Sequence, residues 1–244
     1  MKNGSVIGLG LESSCDETAA AILADGRRLL SYVIASQIDI HREYNGVVPE
    51  IASRAHLETI NGIIATALTE AEIGFEDLDY VAATSRPGLV GSLLIAMQSA
   101  KAISYVRKIP LVAVNHLEAH LSAAFIEHPE LDFPYIGLLV SGGNTALYHV
   151  TGHGEMHLLG RSTDDSIGEA YDKVSKYLEL GYPGGPVIDR LAKESPVKKN
   201  LFPRMLVKTG GYDFSYSGLK TAVINHLKET PGADVREVAW AFQE

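Results

Sequence analysis

The chain has 244 residues, 46% of them hydrophobic and 21% charged, with a net charge of −9. That is the profile of an ordinary globular protein, long enough for one large core or two smaller ones. A single cysteine excludes a disulfide framework and a Cys-rich zinc site, and no apolar run approaches a membrane span. The first residues lead straight into a strand-like segment without a signal-peptide core, so a cytoplasmic protein is expected. The negative total argues against nucleic-acid binding by the whole surface. The charge is uneven, however: residues 1–172 carry a net −12 and residues 173–228 a net +6. The basic segment reads either as a phosphate-facing patch or as a solvated face balanced by the acidic part.

In chain order, Ser5–Leu11, Thr18–Leu23 and Leu29–Ser36 read as strands of an antiparallel meander. Residues 49–72 show helical periodicity through Ile51, Ala55, Leu57, Ile60, Ile63, Ile64, Ala67 and Leu68. A strand at Tyr80–Ser85, a turn at Pro87-Gly88, an apolar helix at Leu89–Arg107 and a strand at Leu111–Val114 follow. Residues 128–134, proline-flanked and polar, mark a boundary between units 1–131 and 132–244. Then the layout restarts: strands at Tyr135–Val140, Ala146–Thr151 and His157–Arg161, and a helix from Ile167 to Leu178. Tyr182-Pro-Gly-Gly-Pro186 reads as a rigid loop, and the last residues, from Val235, are helical in pattern. Each half thus opens as strand, small polar turn, strand, strand. This predicts an α/β protein of two lobes with mixed sheets around a central cleft.

The pair His116 and His120 is the sharpest chemical signal. Four residues apart on a helix, two imidazoles share one face and can hold one transition-metal ion. Asn115 is a good N-cap, with Glu118 at the capping-box position, and the positive helix end keeps the imidazoles neutral. The zinc-protease pattern H-E-x-x-H is not met. At about 100° per residue, Glu118 points roughly 200° away from His116. Two surface histidines on a plain helix are the alternative.

Three turns complete the chemistry. Glu12-Ser-Ser-Cys-Asp-Glu-Thr18 sets three carboxylates between two strands, where Asp16 or Glu17 could take a proton; the alternative is a polar turn. Cys15 within it reads as a packed residue rather than a nucleophile. Ser141-Gly-Gly-Asn-Thr145 lets backbone N–H groups approach a phosphate, or is a plain hairpin turn. Glu169 and Asp172 share a helix face with Lys176.

Together with Gly46–Arg54, Pro87–Gly91, Val140–Gly143, Gly168–Lys173, Tyr182–Gly185 and Phe214–Thr221, these motifs run in order along the whole chain. The sequence resembles the universal tRNA threonylcarbamoyladenosine transferase family, once described as O-sialoglycoprotein endopeptidases. The resemblance implies an actin/Hsp70/sugar-kinase-like fold of two RNase H-like lobes. It implies transfer of a threonylcarbamoyl group from threonylcarbamoyl-AMP to the exocyclic amine of adenosine 37 in tRNAs that read ANN codons. It further implies one divalent metal ion, iron or zinc, on His116, His120 and an aspartate near the family's C-terminus. Substrate contacts fall on Leu139, Val140, Ser141, Gly142, Gly143, Asp172 and Gly185, with Asp189 at the ribose, and catalysis on Asp16 and Glu17. Implied partners are tRNA, an inactive paralogue subunit and a small ATPase, with no membrane. Asn144 stands where the family usually has histidine. The chain is also expected to stop before the family's last elements, with the third metal ligand among them, so metal binding and transfer are expected to be weakened. A related carbamoyltransferase, a metalloendopeptidase and a non-catalytic scaffold are the competing readings.

Overall fold

The computed structural model describes residues 4–44, 46–206 and 210–244. Lys208, counted above in the basic segment, lies outside the described residues, as do Met1–Asn3. The chain divides into two compact units, Met1–Leu131 and Asp132–Glu244.

In the first unit, β1 (Ile7–Glu12), β2 (Glu17–Ala24) and β3 (Arg28–Ser36) form the antiparallel meander that strand alternation predicts. Alternation is clearest in β2, where Thr18, Ala20, Ile22 and Ala24 face inward. β4 (Tyr80–Arg86) then joins the other edge of β1 in parallel, and β5 (Leu111–Asn115) joins β4. The order β3-β2-β1-β4-β5 is a mixed sheet with β1 central. The parallel β4–β5 step requires a crossover, which α3 (Val90–Arg107) supplies. α3 and α2 (Pro49–Glu70) cover the sheet, and Ile60, Ile63, Ile64, Ala67, Leu68, Ala96 and Ala100 pack on Leu9, Ile22 and Val81. Pro49 opens α2 at a position that needs no N–H. Short helices α1 (Ile38–Arg42), α4 (His116–Ser122) and α5 (Ala124–Glu127) complete the unit.

On α2 the buried row differs from the row read by hydrophobicity. Leu57 is 63% exposed, whereas His56 is fully buried between Ala52 and Ile60. The helical phase, not the side chain's polarity, decides which of two neighbouring residues faces inward.

In the second unit, β6 (Tyr135–Val140), β7 (Thr145–Gly152) and β8 (Glu155–Arg161) form another antiparallel meander in the order β6-β7-β8. Helices α6 (Ile167–Tyr177), α7 (Gly184–Lys193), α8 (Ser217–Glu229) and α9 (Val235–Gln243) build their own core from Ala170, Val174, Ile188, Val223, Val238 and Phe242. The stretch read as a loop at Tyr182–Pro186 is a helix start: α7 begins at Gly184. Gly184 lies so close to α6 that a Cβ would stand 2.5 Å from the Tyr171 carbonyl oxygen. Asp172 of α6 accepts the Gly184 N–H at 2.7 Å. A glycine pair that reads as a loop signal is here the condition for close helix packing.

Candidate functional site

Histidine geometry starts from β5, which ends at Asn115 and hands the chain to α4. The cap is the Asn115 side chain, which accepts the Leu117 N–H at 2.9 Å. His116 and His120 then stand one turn apart with their Nε2 atoms 3.0 Å from each other. Two adjacent ligands about 2.1 Å from one metal are roughly 3.0–3.4 Å apart. The two nitrogens therefore fit neighbouring corners of a single coordination sphere. Among the described residues no group of three or more His, Cys, Asp or Glu side chains forms a fuller ligand set. Burial lowers the pKa of His120, and the adjacent His116 lowers it further, so His120 is held as the neutral ligand form.

The other face of His116 meets β1. Its Nδ1 lies 3.2 Å from Glu12 Oε2 and 3.2 Å from Ser14 Oγ. Glu12 also accepts hydrogen bonds from the Ser14 N–H and the Thr84 hydroxyl. Burial pushes the Glu12 carboxyl up, but the bonds from His116, Ser14 and Thr84 outweigh it and hold the pKa at about 2. A carboxylate that accepts from His116 Nδ1–H leaves the Nε2 lone pair facing His120, the arrangement that prepares a histidine for metal. Glu12 was legible only as one of three carboxylates in a turn. Two of its partners, Thr84 and His116, come from β4 and α4, and local spacing carries no trace of them.

Asp16 and Glu17 follow in the same turn, Asp16 half-buried and Glu17 exposed at the start of β2. Between them and Glu12 sits Cys15, which is exposed, where the sequence suggests a packed residue; partial desolvation of its sulfur and the carboxylates around it push the thiol up to about 12. It is not a nucleophile at neutral pH. The turn is anchored outward: the Ser13 hydroxyl bridges the Ser92 carbonyl (2.6 Å) and the Ala96 N–H (3.1 Å) of α3. Gly88 permits the approach of the Pro87–Gly91 segment, since a Cβ there would stand 2.7 Å from the Ser14 carbonyl oxygen.

In the second unit, Ser141–Gly143 form the β6–β7 turn expected from the sequence. Ser141 N–H donates to Asn144 O (2.9 Å), and Asn144 N–H returns to Ser141 Oγ (3.0 Å). The start of α6 packs on this turn. The Ser166 hydroxyl donates to Gly142 O at 2.6 Å, and Ile167 N–H to Thr145 Oγ1 at 2.8 Å. Gly168 is required there, because a Cβ would lie 2.6 Å from Ser141 O. Gly142 and Gly143 are exposed, and a side chain built on either would meet nothing within 4 Å. Leu139 is buried and Val140 exposed, as alternate residues of β6. Asp172 meets Gly184, next to Gly185, and Asp189 lies one turn further along α7, held by Lys193 (2.7 Å) and Gln243 (3.1 Å).

The motif Phe214–Thr221 gains its place from Asp164 and Asp165. Asp164 accepts from Ser215 Oγ, Tyr216 N–H and Ser217 N–H, which caps α8 from outside. Asp165 bridges Lys173 and Lys220, each at 2.6 Å. This narrows the basic-segment reading. Lys173, Lys193, Arg204 and Lys220 are each engaged by a carboxylate. Lys176, Arg190, Lys198, Lys199 and Lys228 carry what the segment has left to offer a phosphate backbone.

Comparison with known proteins identifies the family. The family model for tRNA N6-adenosine threonylcarbamoyltransferase matches residues 28–244. The chain belongs to this family. It is 50% identical over 243 residues to the tRNA N6-adenosine threonylcarbamoyltransferase of Clostridioides difficile (strain 630), covering 98% of this chain and 72% of that protein. It is 51% identical over 238 residues to the enzyme of the same name from Geobacter sp. (strain M21), covering 96% and 69%. The chain therefore spans about 70% of the length of these relatives.

Among solved structures, component A of the Acidaminococcus fermentans (R)-2-hydroxyglutaryl-CoA dehydratase superposes with a TM-score of 0.56 at 16% identity, over 97% of this chain and 73% of that one. The Clostridium difficile activator of 2-hydroxyisocaproyl-CoA dehydratase gives 0.51 at 12%, over 98% and 70%. These similarities concern the fold alone, which is the α/β actin/Hsp70/sugar-kinase-like class.

Proposed function

We propose that this chain transfers the threonylcarbamoyl group from threonylcarbamoyl-AMP to the exocyclic amine of adenosine 37 in tRNAs that read ANN codons. Membership of the transferase family carries the reading, and the acidic turn beside the histidine pair supports it. In the reaction a bond forms between the adenosine nitrogen and the carbamoyl carbon, and the bond from that carbon to the AMP phosphate oxygen breaks. The amine must lose a proton, and Asp16 and Glu17 are the carboxylates offered to take it. The exposed backbone of Gly142 and Gly143 suits the phosphate of the leaving group. Leu139, Val140, Ser141, Asp172, Gly185 and Asp189 are assigned to the rest of the nucleotide.

His116 and His120 would hold one divalent ion, iron or zinc, which supplies Lewis acidity toward a substrate oxygen. Glu12 keeps His116 in the tautomer that this requires. Ser14 N–H can only donate, so a glutamine here would turn its NH₂ toward Thr84 and His116 Nδ1 and favour the opposite His116 tautomer. tRNA is the acceptor, the paralogue subunit and the small ATPase are the protein partners, and the location is cytoplasmic. Among the described residues no helix is long and apolar enough to cross a membrane.

The test is mass spectrometry of tRNA nucleosides after incubation with threonylcarbamoyl-AMP, the partners and a divalent metal. Asp16→Asn and Glu17→Gln are each assayed, and loss of about 100-fold or more in kcat is expected from the variant that removes the base. Unchanged rates for both would remove them from the chemistry. Glu12→Gln is expected to weaken metal affinity by about 10–100-fold in equilibrium titration. Equal affinity would return Glu12 to a purely structural part.

A further inference from the structure

We propose that His56 is a positioning residue for the carboxylate turn: it holds the Cys15 carbonyl and thereby sets the direction of Asp16 and Glu17. The inference rests on the reading that these carboxylates serve the transfer. Three consecutive carbonyls of the turn are each held by a donor from a different place in the first unit. Leu89 N–H, at the entry to α3, donates to Ser14 O at 2.8 Å, and Gln37 N–H, at the entry to α1, donates to Asp16 O at 3.0 Å. The middle one, Cys15 O, lies 3.1 Å from His56 Nε2 on α2. The two outer donors are backbone groups that any sequence supplies. The middle one is a fully buried side chain, the only one of the three that a substitution removes.

The hydrogen-bond roles of His56 follow from both ends of a buried chain. Val48 N–H can only donate, so His41 Nδ1 accepts it (3.4 Å) and His41 Nε2 carries the proton. His41 Nε2–H then faces Gln37 Oε1 at 3.1 Å, which turns the Gln37 NH₂ toward His56 Nδ1 at 3.2 Å and Ala52 O at 3.4 Å. His56 Nδ1 is therefore an acceptor, shared with the Thr18 hydroxyl at 2.7 Å. Its proton sits on Nε2 and points at Cys15 O. Starting instead from Cys15 O, which can only accept, gives the same tautomer. His41, Gln37, His56 and Thr18 are all at most 4% exposed, so the bonds among them are shielded from solvent. The motif Gly46–Arg54 and the histidines on either side of it thus serve one end: a loop fixed at Val48 orients a side chain that fixes the turn.

Two substitutions separate the two faces of the ring. Glutamine can place an N–H where Nε2 stands, and asparagine can place an acceptor where Nδ1 stands. Leu89 N–H and Gln37 N–H hold the carbonyls on either side of Cys15, so hydrogen exchange at these two amides reads the freedom of the turn. His56→Asn is expected to speed exchange at both by about tenfold. It should lower kcat for threonylcarbamoyl transfer by about tenfold, with KM for threonylcarbamoyl-AMP within about twofold. His56→Gln should recover most of both. Equal exchange rates in the two variants would overturn the proposal. A split in exchange without a split in kcat would keep the positioning of the turn and instead refute the role of Asp16 and Glu17. The unmodified protein supplies a check that no folding defect can obscure. Two-bond proton–nitrogen correlation should show His56 as the neutral Nε2–H form, and the Nδ1–H form would leave Cys15 O without its donor and end the proposal.

Discussion

The two units open with the same meander, and their first turns make an instructive pair. Ser13–Asp16 joins β1 to β2, and Ser141–Asn144 joins β6 to β7. The first turn is held from outside through its carbonyls and the Ser13 hydroxyl, leaving side chains as its working parts. The second is held by its own Ser141 and Asn144 and by the start of α6, with two exposed glycines as its working parts. Under the proposed function, one layout serves two chemistries. A turn that must aim carboxylates needs its backbone fixed by several partners. A turn that must offer N–H groups to a phosphate needs its backbone uncovered.

Breaking the second turn should have the largest effect. Gly168→Val would drive a side chain into Ser141 O and the Gly142 backbone, with nothing flexible to give way. A loss of about 3 kcal/mol in urea unfolding is expected, with a raised KM for threonylcarbamoyl-AMP. A well-tolerated valine would show that α6 does not define that turn.

An intermediate effect on the first turn should come from acid. Burial lowers the His56 pKa, partly opposed by Cys15 O, Glu12 and Asp16 and reinforced by His41. The unfolded chain takes up this proton near pH 6.5, the folded chain only at lower pH. Stability from this group is present above about pH 6.5 and falls as pH drops toward the folded value. Urea midpoints from pH 7.5 to 5 should decline less in His56→Gln than in the unmodified protein. Parallel declines would assign the acid sensitivity elsewhere.

The smallest effect is expected from Ser13→Ala, about 1 kcal/mol, because Ser92 O and Ala96 N–H stand four residues apart on α3 and can pair without the hydroxyl. A cost above about 2 kcal/mol would mean that α3 needs the turn as much as the turn needs α3.

How far the sequence reached follows the same division. Period and turn residues predict the strands, α2, α3 and the repeated layout, because each depends on neighbours within a few positions. The histidine pair is legible for that reason: both donors lie on one helical turn. Asn144 is likewise legible as a turn residue, and its backbone does close the turn on Ser141. What joins Glu12 to His116 or Val48 to Cys15 spans separate elements and leaves no periodic trace. α7 escaped for another reason. Pro183-Gly-Gly-Pro186 carries every loop signal, and only Asp172 on α6 reveals why a helix starts there. His56 did leave a trace, as a polar residue at a buried position of the α2 stripe, but Leu57 beside it is the more persuasive apolar residue.

One contact has a mechanical side. The Ser13 hydroxyl is bonded across the first two turns of α3, and Leu89 at the head of that helix holds Ser14. The helix and the carboxylate turn are thus coupled like a handle and a blade. On the outer side of that handle Val90, Leu94, Tyr105 and Val106 are exposed. Three hydrogen bonds thus tie α3 to the residues that lead into Asp16 and Glu17.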